Sequence, residues 1–232
     1  MAERFERLLL AIDTASDVAG IALFEGGALL GETTWRTRQS HSRQLLPAID
    51  WLLANVERTK GDIGALAVCL GPGSYAGMRV GLSTAKALAY AMELPLVGIG
   101  RLAADALSLA EATGNRVVAV QAAGRAELAF AAYRSAGGEL VELIPPRLGA
   151  PPVVIEALEP GDIVTGEIER LDEATIESIK AKQCKLQTSG TPRAISLAAL
   201  ALQRLARGKI DNLDALVPLY LRAPAIGPQP PR

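Results

Sequence analysis

Two stretches of the chain, residues 8–29 and 116–140, follow one plan. In the first, the apolar run Leu8-Leu9-Leu10-Ala11-Ile12-Asp13 passes through the polar turn Thr14-Ala15-Ser16-Asp17 into a second apolar run, which ends at Phe24-Glu25-Gly26-Gly27-Ala28-Leu29. In the second, Arg116-Val117-Val118-Ala119-Val120-Gln121 leads through Ala122-Ala123-Gly124 to Ala136-Gly137-Gly138-Glu139-Leu140. Each reads as strand, tight turn, strand, Gly-Gly turn, strand, since the runs have strand length and Gly-Gly supplies the positive φ that tight turns need. Self-similarity of this kind marks a duplicated unit. The 232 residues are therefore expected to build one α/β unit twice, as two lobes that each hold a mixed sheet with flanking helices.

The segments after each triplet of strands support the same reading. In the first half a third strand runs through 32–36. Between 42 and 56 the apolar period lengthens, with Leu45, Leu46, Ile49, Leu52, Leu53 and Val56 on one helical face and Pro47 early in the helix. Residues 63–70 form a continuous apolar strand, the kind buried on both faces of a parallel sheet. Gly71-Pro72-Gly73-Ser74 turns into a long helix that ends near Glu93, and a short strand comes next at 96–99. In the second half, helix and strand signals stand at 153–158, 163–165 and 167–181, and an amphipathic helix at 193–207 comes after Thr191-Pro192. The lobes are expected at 1–103 and 104–222, with the closing helix 193–207 free to pack back on the first lobe. The Pro- and Gly-rich residues 223–232 read as a flexible tail.

Composition narrows the chemistry. A single histidine in the whole chain leaves no His pair for a metal site, and no metal is expected. Lys plus Arg number 24 against 25 Asp plus Glu, and 4% of residues are aromatic, so neither a bulk electrostatic grip on nucleic acid nor a stacking platform is available. Cys69 and Cys184 stand in no CxxC arrangement, and Cys69, inside an apolar run, reads as a buried inert thiol. The apolar run at 8–12 is cut by Asp13 and is too short for a signal segment, and no run is long enough to span a bilayer. A soluble cytoplasmic protein is the expectation.

Three features could carry function. The turn Asp13-Thr14-Ala15-Ser16 sets a carboxylate and hydroxyls at the end of a buried strand. Such a turn either holds a metal ion or phosphate, or satisfies its own backbone as an Asx turn. Its counterpart Gln121-Ala122-Ala123-Gly124 has neither carboxylate nor hydroxyl, so Asp13, Thr14 and Ser16 are at most a vestigial phosphate turn, and no cofactor is expected. Gly71-Pro72-Gly73-Ser74 lacks the Lys of a P-loop and reads as a tight turn with Ser74 capping the next helix. Along that helix Gly77, Gly81, Ala85 and Ala89 recur every four residues. A glycine costs about 1 kcal/mol relative to Ala inside a helix, so two on one side imply a close approach, and a neighbouring helix is the natural candidate. Trp51 lies nearly opposite the apolar face of the preceding helix, beside Gln44 and Pro47, and His41 starts that helix as a cap or contact. His41, Pro47, Trp51, Tyr75, Gly77, Met78, Gly81, Leu82, Ala85 and Ala89 are together expected to form an association surface. Gly81→Leu should then weaken association without unfolding the lobe.

The segments Leu10-Ala11-Ile12-Asp13-Thr14-Ala15, His41-Ser42-Arg43-Gln44-Leu45-Leu46-Pro47, Gly71-Pro72-Gly73-Ser74-Tyr75-Ala76-Gly77-Met78-Arg79-Val80-Gly81, Ala85-Lys86-Ala87-Leu88-Ala89 and Pro218-Leu219-Tyr220-Leu221-Arg222 resemble the TsaB (YeaZ) family. The Gly-Pro-Gly-Ser-aromatic segment with its Gly-x-x-x-Gly helix is the specific part. The Asp-Thr opening is shared more widely with actin-like and sugar-kinase-like ATPases. The resemblance implies a duplicated actin-like ATPase (ribonuclease H-like) fold without its chemistry. It implies a non-catalytic scaffold subunit for threonylcarbamoyl transfer to N6 of adenosine 37 in tRNAs that read ANN codons. The catalytic paralogue TsaD, with its metal-binding His-x-x-x-His motif, and the ATPase TsaE are the implied partners. The resemblance further implies contact with tRNA through the complex, a homodimer when the chain is isolated, and nucleotide only in the assembly, if at all. The older label is glycoprotease, or peptidase M22. The chain departs from the family at Ala122-Ala123-Gly124-Arg125-Ala126-Glu127-Leu128-Ala129, where an Asp and a Tyr are missing, and this takes nucleotide or metal binding away from that turn. The alternative is an acetate- or sugar-kinase-like phosphotransferase using Asp13. A peptidase lacks any nucleophile–base constellation here.

Overall fold

In the computed structural model, which describes residues 6–37, 41–124 and 126–222, the two halves fold alike. The first lays down β1 (Leu8–Asp13), β2 (Val18–Glu25), β3 (Ala28–Arg36), α1 (His41–Asn55), β4 (Ile63–Gly71), α2 (Tyr75–Met92), β5 (Leu96–Gly100) and α3 (Arg101–Thr113). The second repeats the order with β6 (Val117–Ala122), β7 (Leu128–Ala136), β8 (Glu139–Gly149), α4 (Pro151–Glu156), β9 (Ile163–Gly166), α5 (Glu173–Ala181), β10 (Lys185–Leu186) and α6 (Arg193–Leu205). The sheets run β3-β2-β1-β4-β5 and β10-β9-β6-β7-β8. In each, the first three strands pair antiparallel and the last two join parallel to the first.

Side-chain alternation along β1 decides what covers the first sheet. Leu8, Leu10 and Ile12 face Leu45, Ile49, Leu52 and Leu53 of α1 and Leu82, Ala85 and Ala89 of α2. Leu9 and Ala11 face the other way, toward Ala194, Leu197, Ala198 and Ala201 of α6. On the second sheet Val118 and Val120 meet Val154 of α4 and Ile179 of α5, while Val117 and Ala119 meet Leu102, Ala106 and Leu109 of α3. The closing helix of each repeat thus lies against the sheet of the other, and α3 and α6 form the layer that joins the lobes.

Several expectations change. The helix α3 was not legible in the sequence, and the division at 103/104 runs through it. Its Ala-rich surface is buried nearly all round, including Arg101 and Asp105, so it shows no one-sided apolar stripe. Leu46 faces outward at 44% exposure rather than joining the apolar face of α1. The segment 167–181 is broken: a single 3-10 turn at Ile168–Arg170 precedes α5, which Asp172 caps through Thr175 N–H. The expected tail, 223–232, lies outside the described residues.

Candidate functional site

The lobes face each other across a cleft of about 510 Å³. Its first-lobe wall is the turn after β1 with the turn into α2; its second-lobe wall is the end of β6 and Glu167 and Arg170 beyond β9. This is where the strand ends of both sheets point.

On the first-lobe side the side chains of Asp13, Thr14 and Ser16 are all already engaged. Asp13 Oδ1 accepts the N–H of Ala15 at 2.9 Å, an Asx turn. Thr14 Oγ1 donates to the carbonyl of Gly77 at 2.7 Å. Ser16 Oγ donates to the carbonyl of Val18 at 2.9 Å, and the carbonyl of Ala15 accepts the N–H of Ser74 at 2.8 Å. Ser74 caps α2 by accepting the N–H of Gly77 at 3.3 Å.

The remaining oxygen of Asp13, Oδ2, accepts from Arg193 Nη1 at 2.7 Å, and Arg193 Nε donates to Asp105 Oδ1 at 2.7 Å. Burial alone pushes the Asp13 carboxyl up, but Arg193, the Ala15 N–H and Arg101 outweigh it and hold the group below its ordinary value. The chain of charges continues. Arg101, 2% exposed, lies 3.7 Å from Asp105 through Nε and donates to Glu167 Oε1 at 2.9 Å. Glu167 Oε2 accepts the N–H of Ala122 at 3.2 Å. Asp13, Arg193, Asp105, Arg101 and Glu167 therefore form a continuous ion ladder from β1 to the second sheet. Each buried charge has an opposite neighbour, which is the condition for burying it at all. A carboxylate committed to a guanidinium in this way is not free to coordinate a metal or steer a phosphate. Among the described residues no group of three or more His, Cys, Asp or Glu side chains is placed to hold a metal ion.

The expected association surface divides. Pro47, Trp51 (57% exposed) and Tyr75 face outward, as do Leu46 and Tyr90. Gly77, Met78, Gly81, Leu82, Ala85 and Ala89 do not: all are buried within the first lobe itself. A Cβ on Gly77 would lie 2.0 Å from the carbonyl oxygen of Thr14, and one on Gly81 would lie 2.3 Å from Thr14 Oγ1. The close approach that the glycines signal is real, but the neighbour is this chain's own β1 turn rather than a second molecule. His41 is buried too, its Nδ1 without a partner among the described residues, and its Nε2 stands 3.2 Å from where a Cβ on Gly77 would sit. It packs α1 against the start of α2. Cys69 is buried with its thiol pushed well up, first by burial and then by Asp13, an inert group.

A family model described as "TsaD: tRNA N6-adenosine threonylcarbamoyltransferase" matches residues 33–223. The tRNA threonylcarbamoyladenosine biosynthesis protein TsaB of Bacillus subtilis is 27% identical over 219 residues, 92% of this chain and 93% of that protein. The crystal structure of YeaZ from Pseudomonas aeruginosa superposes with a TM-score of 0.76 at 24% identity, over 93% of this chain and 100% of that one. The chain belongs to the TsaB (YeaZ) family. Its two lobes are the duplicated actin-like fold. A ROK hexokinase from Thermus thermophilus shares that fold with this TsaB-family chain at a TM-score of 0.50 and 12% identity, over 84% of this chain and 97% of the hexokinase, a likeness of fold alone.

Sequence reasoning singled out Asp13 but missed the groups that engage it: Arg193, Asp105, Arg101 and Glu167. Arg101 and Asp105 stand four apart, the spacing of an ordinary exposed helical ion pair. The one local hint is that Arg193 opens α6, directly after the Thr191-Pro192 start signal.

Proposed function

We propose that this chain is a non-catalytic partner subunit in tRNA threonylcarbamoyladenosine biosynthesis, pairing with TsaD for transfer of threonylcarbamoyl to N6 of adenosine 37 in tRNAs that read ANN codons. TsaE joins the pair, tRNA is reached through the assembly in the cytoplasm, and the isolated chain forms homodimers. The observation that carries this reading is the Arg193–Asp13 pair: the one carboxylate that an actin-like phosphotransferase would use here is bound by the chain's own closing helix. The opposite turn, Gln121 to Gly124, adds no acid to replace it. A catalytic role would need that carboxylate free, and the phosphotransferase alternative finds no support in this geometry. The outward sides of α1 and α2, with Leu46, Pro47, Trp51, Tyr75 and Tyr90, supply apolar surface for a partner. His41 and the buried small residues of α2 act behind that face by holding it in shape.

The test is reconstitution. Purified TsaD and TsaE, threonylcarbamoyl-adenylate and unmodified tRNA are incubated with and without this chain, and the modified nucleoside is quantified by mass spectrometry. Modification should require this chain together with TsaD, and the chain alone should give none. Transfer at an equal rate without it, or transfer by it alone, would sink the proposal.

A further inference from the structure

The end of the described chain does something that neither the fold nor the proposed function requires. After α6, residues 211–219 run along the open edge of β5 and are tied to the first lobe. The Asp211 N–H donates to the Leu96 carbonyl at 3.0 Å, and the Asp211 carboxylate accepts the Gly98 N–H at 2.7 Å and a two-pronged contact from Arg204. Leu213 and Leu216 join the first-lobe core. Leu219 N–H donates to the Leu70 carbonyl at 2.8 Å, and the Tyr220 ring packs on Tyr75 with centroids 5.3 Å apart.

Then the chain changes lobes. Residues 219–222 line the interlobe cleft, and Arg222 reaches the tight β6–β7 turn, donating to the Ala123 carbonyl at 3.4 Å and pairing with Glu127. That turn is the second-lobe counterpart of the Asp13 turn. Each turn facing the cleft is therefore occupied by an arginine of this same chain, the first by Arg193 and the second by Arg222. The two differ in kind. Asp13 is buried, whereas Arg222 and Glu127 are 33% and 36% exposed. A half-buried pair of this sort holds less firmly than a buried one and is open to screening by salt. Among the described residues past Tyr220, the contacts of Arg222 tie the segment to the second lobe.

We propose that residues 218–222 form a releasable strap over the interlobe cleft, fixed to the first lobe at Leu219 and Tyr220 and latched to the second by Arg222 on the β6–β7 turn. Releasing the latch uncovers the cleft while both lobes stay folded. The inference does not depend on a partner protein, and its test uses the isolated chain.

Ala122 lines the cleft beside the latch, so a thiol introduced there by Ala122→Cys reports on access, read as the rate of iodoacetamide labelling by mass spectrometry. The native Cys69 and Cys184 are both buried and free, and they serve as internal monitors of unfolding. In the Ala122→Cys background, Arg222→Ala and, separately, Glu127→Gln should each raise the labelling rate about threefold or more, the scale a solvent-accessible ion pair can gate. Raising salt from about 0.05 M to about 0.5 M should accelerate the Ala122→Cys protein but not its Arg222→Ala derivative. The native cysteines should stay unlabelled throughout. Equal rates in all three proteins overturn the strap, as does a salt response that survives Arg222→Ala. If Arg222→Ala exposes the native cysteines, the Glu127→Gln and salt arms decide alone, and no acceleration in either overturns it.

Discussion

Arg193 donates from Nη1 to Asp13 Oδ2 at 2.7 Å across 180 residues of sequence, tying the closing helix of the second repeat to the first strand of the first. Both side chains are largely buried, so removing either leaves an uncompensated charge. Asp13→Ala and Arg193→Met should each destabilise the fold by about 3–5 kcal/mol, and the double variant should recover part of that loss. Urea denaturation of the four proteins closes the cycle. Additive losses would show that the pair is not coupled.

The same pair sets a dependence on pH. The folded chain holds Asp13 below its ordinary value of 3.8, so the unfolded chain takes up the proton first as pH falls. The contribution is complete above that ordinary value and is lost as pH drops through the lower, folded one. The urea midpoint should therefore fall on acidification below about pH 4, and Asp13→Asn should flatten that fall. An unchanged slope in the variant would contradict the assignment.

Gly77→Ala and Gly81→Leu should damage the lobe rather than an interface. Their new atoms would meet Thr14, whose Oγ1 donates to the Gly77 carbonyl and whose neighbour Ala15 accepts the Ser74 N–H on its carbonyl. Overpacking of this kind costs about 1–3 kcal/mol, and more where backbone must move. Thermal unfolding monitored by circular dichroism should show both variants below the parent, whether or not a partner is present. A Gly81→Leu protein of parental stability would return the glycine stripe to the role of a contact surface.

Legibility in the sequence depends on whether a feature is encoded locally. Strands β1 to β9, α1, α2 and α6 announce themselves through local period and turn residues, whereas the two-residue β10 is too short to leave a period. The smallness of Gly77 and Gly81 announced a close approach, but not its object, because Thr14 lies 63 residues from Gly77 and nothing in a helix stripe names its neighbour. Arg101 and Asp105 look locally like a solvated pair. Their burial comes from Glu167 and Arg193, 66 and 88 residues away. Long-range pairing of charges leaves no periodic trace, so α3 and the ion ladder become visible only in three dimensions.

His41 offers a direct measurement, since it is the single histidine in the chain. Burial lowers its affinity for a proton, and Asp13 and Asp17 restore only part of it, so it titrates below 6.5. The neutral ring is thus the form the fold prefers. Its contribution to stability is complete above 6.5 and declines as pH falls below that value. In a protein without a histidine tag, one imidazole resonance should be tracked by NMR, with a midpoint under 6.5. A midpoint at or above 6.5 would mean that the ring is solvated and not packed against α2.

Trp51 is the sharpest probe of the proposed partner face. It projects from α1 at 57% exposure, so its replacement removes little that holds the fold together. Exposed substitutions of this kind usually change stability by no more than about 0.5 kcal/mol. A tryptophan buried at the centre of an interface, by contrast, commonly contributes about 2 kcal/mol or more to association. Trp51→Glu also sets a charge where an apolar contact would form, so the loss on binding TsaD should be at least roughly thirtyfold in Kd, with an unchanged melting curve. Val153→Glu, at an exposed position of α4 on the other lobe, is the matched control and should alter neither quantity. Calorimetric titration of TsaD with the parent and the two variants separates the cases. If Trp51→Glu binds as the parent does, the partner face is not the outward side of α1; if Val153→Glu is the variant that fails, the partner sits on the second lobe.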